Sequence, residues 1–191
     1  MFKNTIIISL PLLIFTSNAF ASVNDFRGNS ESMNAEIKYS KYDIDSFSKE
    51  MASLSINAKM SNNFVLGGEV GIFEDNENYF DLSLGYRVHH SRNLYFQGNA
   101  GYRKYDFNSD LIEDLDIKYG QVKLTYRYTN GLYFDLGAER FFPNNDDNIL
   151  GVEKEIGYFV STQYNFMDNL HLTASYRESF KQLGVGLMWK F

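Results

Sequence analysis

The sequence predicts an all-β chain: a transmembrane, antiparallel, up-and-down β-barrel of ten strands, with eight as the alternative count. Three observations lead there. Apolar residues recur at every second position through most of the chain, the period of a strand with two different faces. The alternating segments run to about nine to twelve residues, the length of a tilted strand crossing a bilayer. The connections are short at one end of the segments and mostly longer at the other, as in membrane barrels.

In chain order, residues 1–21 read as a cleaved secretory signal. Lys3 supplies the basic start, Ile6 to Phe15 the apolar core, and Ala19-Phe20-Ala21 a cleavage site with the cut expected before Ser22. The apolar run falls short of the roughly 18 residues a membrane helix needs. Residues 22–32 are then a short N-terminal segment, and 33–191 the barrel.

The first segment puts Met33, Ala35, Ile37 and Tyr39 on one face. The second puts Leu54, Ile56, Ala58 and Met60 there. Phe64, Leu66, Gly68, Val70 and Ile72 form the third, and Phe80, Leu82, Leu84, Tyr86 and Val88 the fourth. The fifth carries Leu94, Phe96, Gly98, Ala100 and Tyr102. Its Asn93-Leu94-Tyr95-Phe96-Gln97-Gly98 matches the protease site common in expression tags. The alternation passes through that stretch in phase, and Arg92 stands where the tag has Glu, so it reads as native strand. The sixth segment carries Val122, Leu124, Tyr126 and Tyr128. Leu115 and Ile117 fall out of phase with it, which predicts a bulge near Gly120 or a loop entering the strand late. The seventh has Leu132, Phe134, Leu136 and Ala138; the eighth Ile156, Tyr158, Val160, Tyr164 and Phe166. The last two have Leu170, Leu172, Ala174 and Tyr176, then Leu183, Val185, Leu187, Trp189 and Phe191. Pro143 lies between the seventh and eighth, as strand ladders require.

Ser61 to Asn63, His89 to Arg92, Thr129 to Gly131 and Met167 to Asn169 are expected tight turns, rich in Asn, Asp and Gly. Asp43 to Lys49, Glu74 to Asn78, Asp106 to Asp116, Pro143 to Lys154 and Glu178 to Gln182 are the expected loops. The 191 residues suit one domain. A net charge of −6 argues against nucleic acid as a partner. The absence of cysteine excludes disulfides and thiolate metal sites.

A barrel wall facing hydrocarbon must be apolar, because lipid offers polar groups no partner. The alternating apolar set meets that condition. Phe64, Tyr126, Tyr128, Phe134, Phe166, Trp189 and Phe191 gather toward the turns, and Tyr39, Phe80, Tyr102, Tyr158 and Tyr176 toward the loops, like two interfacial girdles. A soluble β-sandwich is the rival fold, but its second face would be solvent-like. Here that face mixes Gly and Ser with charges of both signs: Glu36, Lys38, Lys59, Glu69, Asp81, Arg87, Arg103, Lys123, Arg127, Asp135, Glu139, Arg177 and Lys190. Among these, Asp81, Arg87, Arg103, Lys123, Arg127, Asp135 and Glu139 are expected to form a lumen charge network. With Arg127 opposite Tyr133, Lys123 falls opposite Gly137 and diagonal to Asp135 and Glu139. With Arg87 opposite Tyr95, Asp81 falls opposite Gly101 and diagonal to Arg103.

The ending "LGVGLMWKF", with Leu187, Trp189 and Phe191 in phase, resembles the C-terminal assembly signal of small Gram-negative outer-membrane β-barrel proteins. With the signal segment and the strands, that resemblance covers nearly the whole mature chain. It implies location in the outer membrane and two partners: the barrel assembly machinery, and the surrounding lipids with lipopolysaccharide. It is nearly silent on activity.

No cofactor motif is present. His89 and His90 fall in a turn, and His171 faces inward at the turn end. Barrel hydrolases and proteases of the resembling family act at the loop rim, and no loop here holds a His, so no enzyme is expected. The loop carboxylates Glu74, Asp75, Glu77, Asp106, Asp110, Glu113, Asp114, Asp116, Asp146, Asp147, Glu153 and Glu155 are oxygen ligands that suit divalent cations, but no fixed-spacing calcium loop is present, so solvated loops are the default reading and divalent cations the alternative. The expectation is therefore a structural or surface-interaction barrel with at most a narrow pore. A small-solute porin is the alternative, and a lipid-modifying enzyme a more distant one.

Overall fold

Strands with one apolar and one mixed face leave no open edge when the sheet curls shut. The computed structural model describes residues 33–44, 47–60, 63–74, 77–106, 115–129, 131–143 and 156–191. The expected signal and N-terminal segment lie outside the described residues. Ten antiparallel strands form a closed barrel: β1 (Met33–Ile44), β2 (Phe47–Lys59), β3 (Phe64–Phe73), β4 (Asn78–His89), β5 (Leu94–Asp106), β6 (Leu115–Arg127), β7 (Leu132–Pro143), β8 (Ile156–Met167), β9 (Leu170–Arg177) and β10 (Gln182–Lys190). Each pairs with its neighbours in the chain. β1 and β10 close the seam, from Asn34 opposite Lys190 to Lys41 opposite Leu183. Ten is the strand count, and eight is set aside.

The two faces separate as the alternation requires. Ile37, Val70, Leu84, Val122, Leu136 and Val185 stand outward and exposed, as do the aromatics Phe64, Tyr86, Phe96, Tyr126, Phe134 and Tyr158. So large an exposed apolar surface has no place in water and a natural one in lipid. The tight turns join β2–β3, β4–β5, β6–β7 and β8–β9, with both strand termini at the same end. Asn63 (φ 67°) and Asn169 (φ 63°) take the left-handed conformation there, which asparagine tolerates at turns.

Several local expectations are corrected. β6 carries no bulge at Gly120: it pairs continuously with β5 and β7 through that position. Ile117 is out of phase with the lipid face because it points inward and is buried. The apolar residues change face along β6 because the lumen itself becomes apolar at that end. The irregularity lies instead in β8, between Asn165 and Met167. Pro143 is the last residue of β7, opposite Ile117 and beyond the final β8 partner of that strand, a terminal position that proline tolerates. Across the β4–β5 turn, Arg87 stands opposite Gln97 rather than Tyr95, and Asp81 directly opposite Arg103. The register expected across the β6–β7 turn is present, with Arg127 opposite Tyr133 and Lys123 opposite Gly137. Glu178 to Gln182 is no open loop. Glu178–Phe180 forms a turn of 3-10 helix, closed by left-handed Lys181, before β10 begins.

Candidate functional site

The lumen is the candidate site, and its inward residues fall into tiers. At the loop end, Tyr42, Met51, Phe73, Tyr79, Tyr105, Ile117, Tyr119, Phe141 and Phe180 form one buried apolar cluster. Eight of these come from the wall. Phe180 comes from the 3-10 turn, which folds the ring inward to 1% exposure. Its ring lies 5.3 Å from Phe141, 5.9 Å from Tyr105 and 6.5 Å from Tyr42, so it touches β7, β5 and β1 across the lumen. Tyr42–Phe73 at 5.4 Å and Tyr79–Tyr105 at 5.1 Å continue the layer around the wall. Offset and edge-on pairs of this kind are favourable arrangements for aromatic quadrupoles.

Directly beneath lies a charged tier. Arg103, 1% exposed, donates from Nε to Asp81 at 2.9 Å and approaches Glu139 at 3.9 Å. Arg177 forms an ion pair with the same Glu139 at 3.2 Å, and the Ser179 hydroxyl donates to it at 3.0 Å. The hydroxyls of Tyr119 and Tyr79 donate to Asp81 at 2.7 and 3.3 Å. The Arg103 guanidinium also lies 4.7 Å from the Tyr119 ring centre and 5.5 Å from that of Phe180. A buried guanidinium is tolerable only with such partners. The tier thus ties β4, β5, β6, β7 and β9 to the ring layer above.

Toward the turn end the lumen is polar and less filled. Lys38 pairs with Glu69 at 3.0 Å, and Ser53 donates to Glu69 at 2.6 Å. Arg87 donates twice to Gln97, Gln97 donates to Asn99, and Asn99 to Gln121. Asp135 accepts from Thr125 at 2.6 Å, Ser161 at 2.8 Å and Gln163 at 3.2 Å. A cavity of about 220 Å³ remains, lined by Glu36, Lys38, Arg87, Lys123 and Asp135 among others. Lys190 lies 4.4 Å from the Tyr133 ring, against which His171 also packs.

Of the residues expected in the charge network, Asp81, Arg103 and Glu139 come together. Arg87 joins the amide chain, Asp135 is held by hydroxyl and amide donors, and Lys123 lines the cavity. The Arg127 backbone N–H donates to Asn93 at the turn end. Leu187 and Trp189 face outward on β10, and the Phe191 N–H donates to the Met33 carbonyl at 2.9 Å, where the seam ends. Most of the loop carboxylates whose oxygens suit divalent cations lie outside the described residues. Of the others, Glu77 pairs with Lys49, and Asp116 accepts from Tyr102. Sequence reasoning missed the ring layer. Its signal was the phase itself: Tyr42, Tyr79, Tyr105, Tyr119 and Phe141 sit in register with the inward charges of their own strands.

No protein-family model matches the chain, and no curated protein sequence matches it. Solved structures do. The NanC porin aligns with a TM-score of 0.54 at 10% identity, over 83% of this chain and 98% of that one. The KdgM porin aligns at 0.47 and 14% identity, over 82% and 99%. The translocator domain of the autotransporter NalP from Neisseria meningitidis aligns at 0.40 and 12%, over 91% and 94%. At such identities the likeness concerns the fold. The fold and the apolar outer wall together define a transmembrane β-barrel of the outer-membrane class. The membrane that houses such barrels in bacteria is the outer one, with the tight turns on the periplasmic side.

Proposed function

We propose that the barrel has a structural or surface-interaction role, with its lumen closed at the loop end and at most a narrow path through it. The observation that carries this reading is the ring layer centred on Phe180, over the Arg103–Glu139 tier. Strand number supports it: eight strands leave an interior just filled by side chains, and sixteen or more leave an aqueous channel. Conductance in planar bilayers is the test. Rare, small openings are expected, and a steady open pore would retire the reading. A second reading, a small-solute porin, is favoured by the fold shared with the NanC porin and by the polar cavity below the rings. The same recording decides between them. No catalysis is part of the proposal: the mass spectrum of lipid A should be unchanged when the gene is removed, and an altered one would bring the enzyme reading back.

A further inference from the structure

Toward the loop end the outer wall departs from the apolar pattern, with Lys41 opposite Glu50 on β1 and β2 and a group of cations on β5, β6 and β7. On β5, β6 and β7, the alternation turns Lys104, Lys118 and Arg140 outward near the loop end. In register, Lys118 stands opposite Tyr102 and Phe142, and Arg140 opposite Gly120, so Lys118 and Arg140 are diagonal neighbours. Lys104 stands opposite Asp116, which accepts a hydrogen bond from Tyr102 at 2.7 Å. The Arg140 guanidinium lies 5.3 Å from the Phe142 ring, on the outside of the barrel. A cation on a lipid-facing wall is costly at mid-membrane and nearly free of cost near the interface. These side chains therefore belong at headgroup depth, on the loop side.

The wall below them is concave. A groove of about 690 Å³ runs past Leu84, Ala100, Gly120, Val122, Ala138 and Ile156, with Arg140 among its lining residues. A second hollow of about 430 Å³ continues it past Phe96, Leu124 and Leu136, sharing Val122 and Ala138 with the first. Nothing stands within 4 Å of where a Cβ would lie on Gly98 or Gly120, so open space is built into the wall here. Cations over an apolar channel are complementary to an anionic headgroup carrying acyl chains. The loop side faces the outer leaflet, whose anionic lipid is a phosphorylated glycolipid.

We infer that the β5–β7 wall is a specific binding site for a phosphorylated outer-leaflet glycolipid of the lipid A type, with phosphate on Lys118 and Arg140 and an acyl chain in the groove beneath. Charge-assisted contacts to phosphate are strong, and the planar Arg140 guanidinium adds bidentate geometry to the point charge of Lys118. The site is independent of whether the lumen conducts.

The test is native mass spectrometry of the folded barrel in defined detergent, titrated with diphosphorylated lipid A. Three variants are compared with the wild type: the pair Lys118→Gln with Arg140→Gln, the groove-filling Gly120→Leu, and the control Lys41→Gln on β1. Heat-modifiable migration on gels shows that each is folded. Binding should weaken about tenfold in the double variant and in Gly120→Leu, the equivalent of losing one strong contact. Lys41→Gln should bind as the wild type, and dephosphorylated lipid A should compete poorly. If a variant fails to fold, that competition on wild-type protein decides alone. Equal binding by wild type and variants overturns the inference. So does equal competition by a zwitterionic phospholipid, or a second copy of the chain on this wall in place of lipid.

Discussion

Replacing Phe180 with Ala is the sharpest test of how the loop end is closed. The ring is almost fully buried and meets Phe141, Tyr105 and Tyr42, with the Arg103 guanidinium 5.5 Å from its centre. Truncating a buried Phe to Ala costs about 3–5 kcal/mol, because the neighbours only partly refill the space. Each ring pair adds about 0.5–1.5 kcal/mol beyond area burial, which places this site toward the upper half of that range. The neighbours here are anchored on strands of a closed barrel, and such a wall collapses little around a hole. Reversible urea unfolding in liposomes can be followed through Trp189, the only tryptophan. The control is Phe142→Ala, a ring on the outer wall. Phe180→Ala should lose several kcal/mol more than the control and open more often in a planar bilayer. A loss below about 1 kcal/mol, or one equal to the control, would refute the idea that Phe180 is the keystone of the layer.

Further outcomes are expected from the same protein. Glu139→Gln leaves Arg103 and Arg177 short of their shared carboxylate and should cost about 3–5 kcal/mol in the same unfolding assay; Asp135→Asn, whose oxygens are met by neutral donors, should cost less, and the opposite order would show that the charged tier is misread. Leu84→Arg faces lipid and should cost about 2–4 kcal/mol, against a smaller cost for Ser83→Lys on the lumen side, and equal costs would invert the assignment of faces. Deleting Phe191 should lower the folded, heat-modifiable fraction in membranes; a normal yield would remove the assembly-signal reading.

What the sequence revealed and what it hid follow from the same rule. Period-two alternation reports which residues share a face, and this was enough to identify the strands, their order and the lipid side. Leu84 and Val122 needed nothing more. Alternation does not report what the other face touches. Ile117 looked like a break in β6 because an apolar residue was expected to face lipid, when a ten-stranded lumen can hold its own apolar core. The Arg103–Asp81 pair was legible as a near neighbour although the turn register was off, since opposite and diagonal positions are both within reach. Phe180 was not legible at all. It lies outside any alternating run, and only the 3-10 turn with left-handed Lys181 brings it inside.

How so many rings fit in a narrow lumen is answered by what stands opposite them. Gly101 on β5 is in register with Tyr119 on β6, and Gly137 on β7 with Phe159 on β8. A Cβ on Gly101 would lie 2.5 Å from the Tyr119 ring, closer than real atoms approach. The glycine is therefore the space into which Tyr119 leans, and from there its hydroxyl reaches Asp81, the partner of Arg103. Gly101→Ala should push the ring away and loosen that hydrogen bond, at a cost of about 1–3 kcal/mol for overpacking. Gly98, on the same strand but facing out, has open space where its Cβ would be, so Gly98→Ala should be neutral or slightly stabilising through the unfolded state. The two substitutions add the same methyl group to one strand and differ only in the face. If urea unfolding finds them equal, the lumen is looser than these distances imply, and the inward glycines are not there to make room for rings.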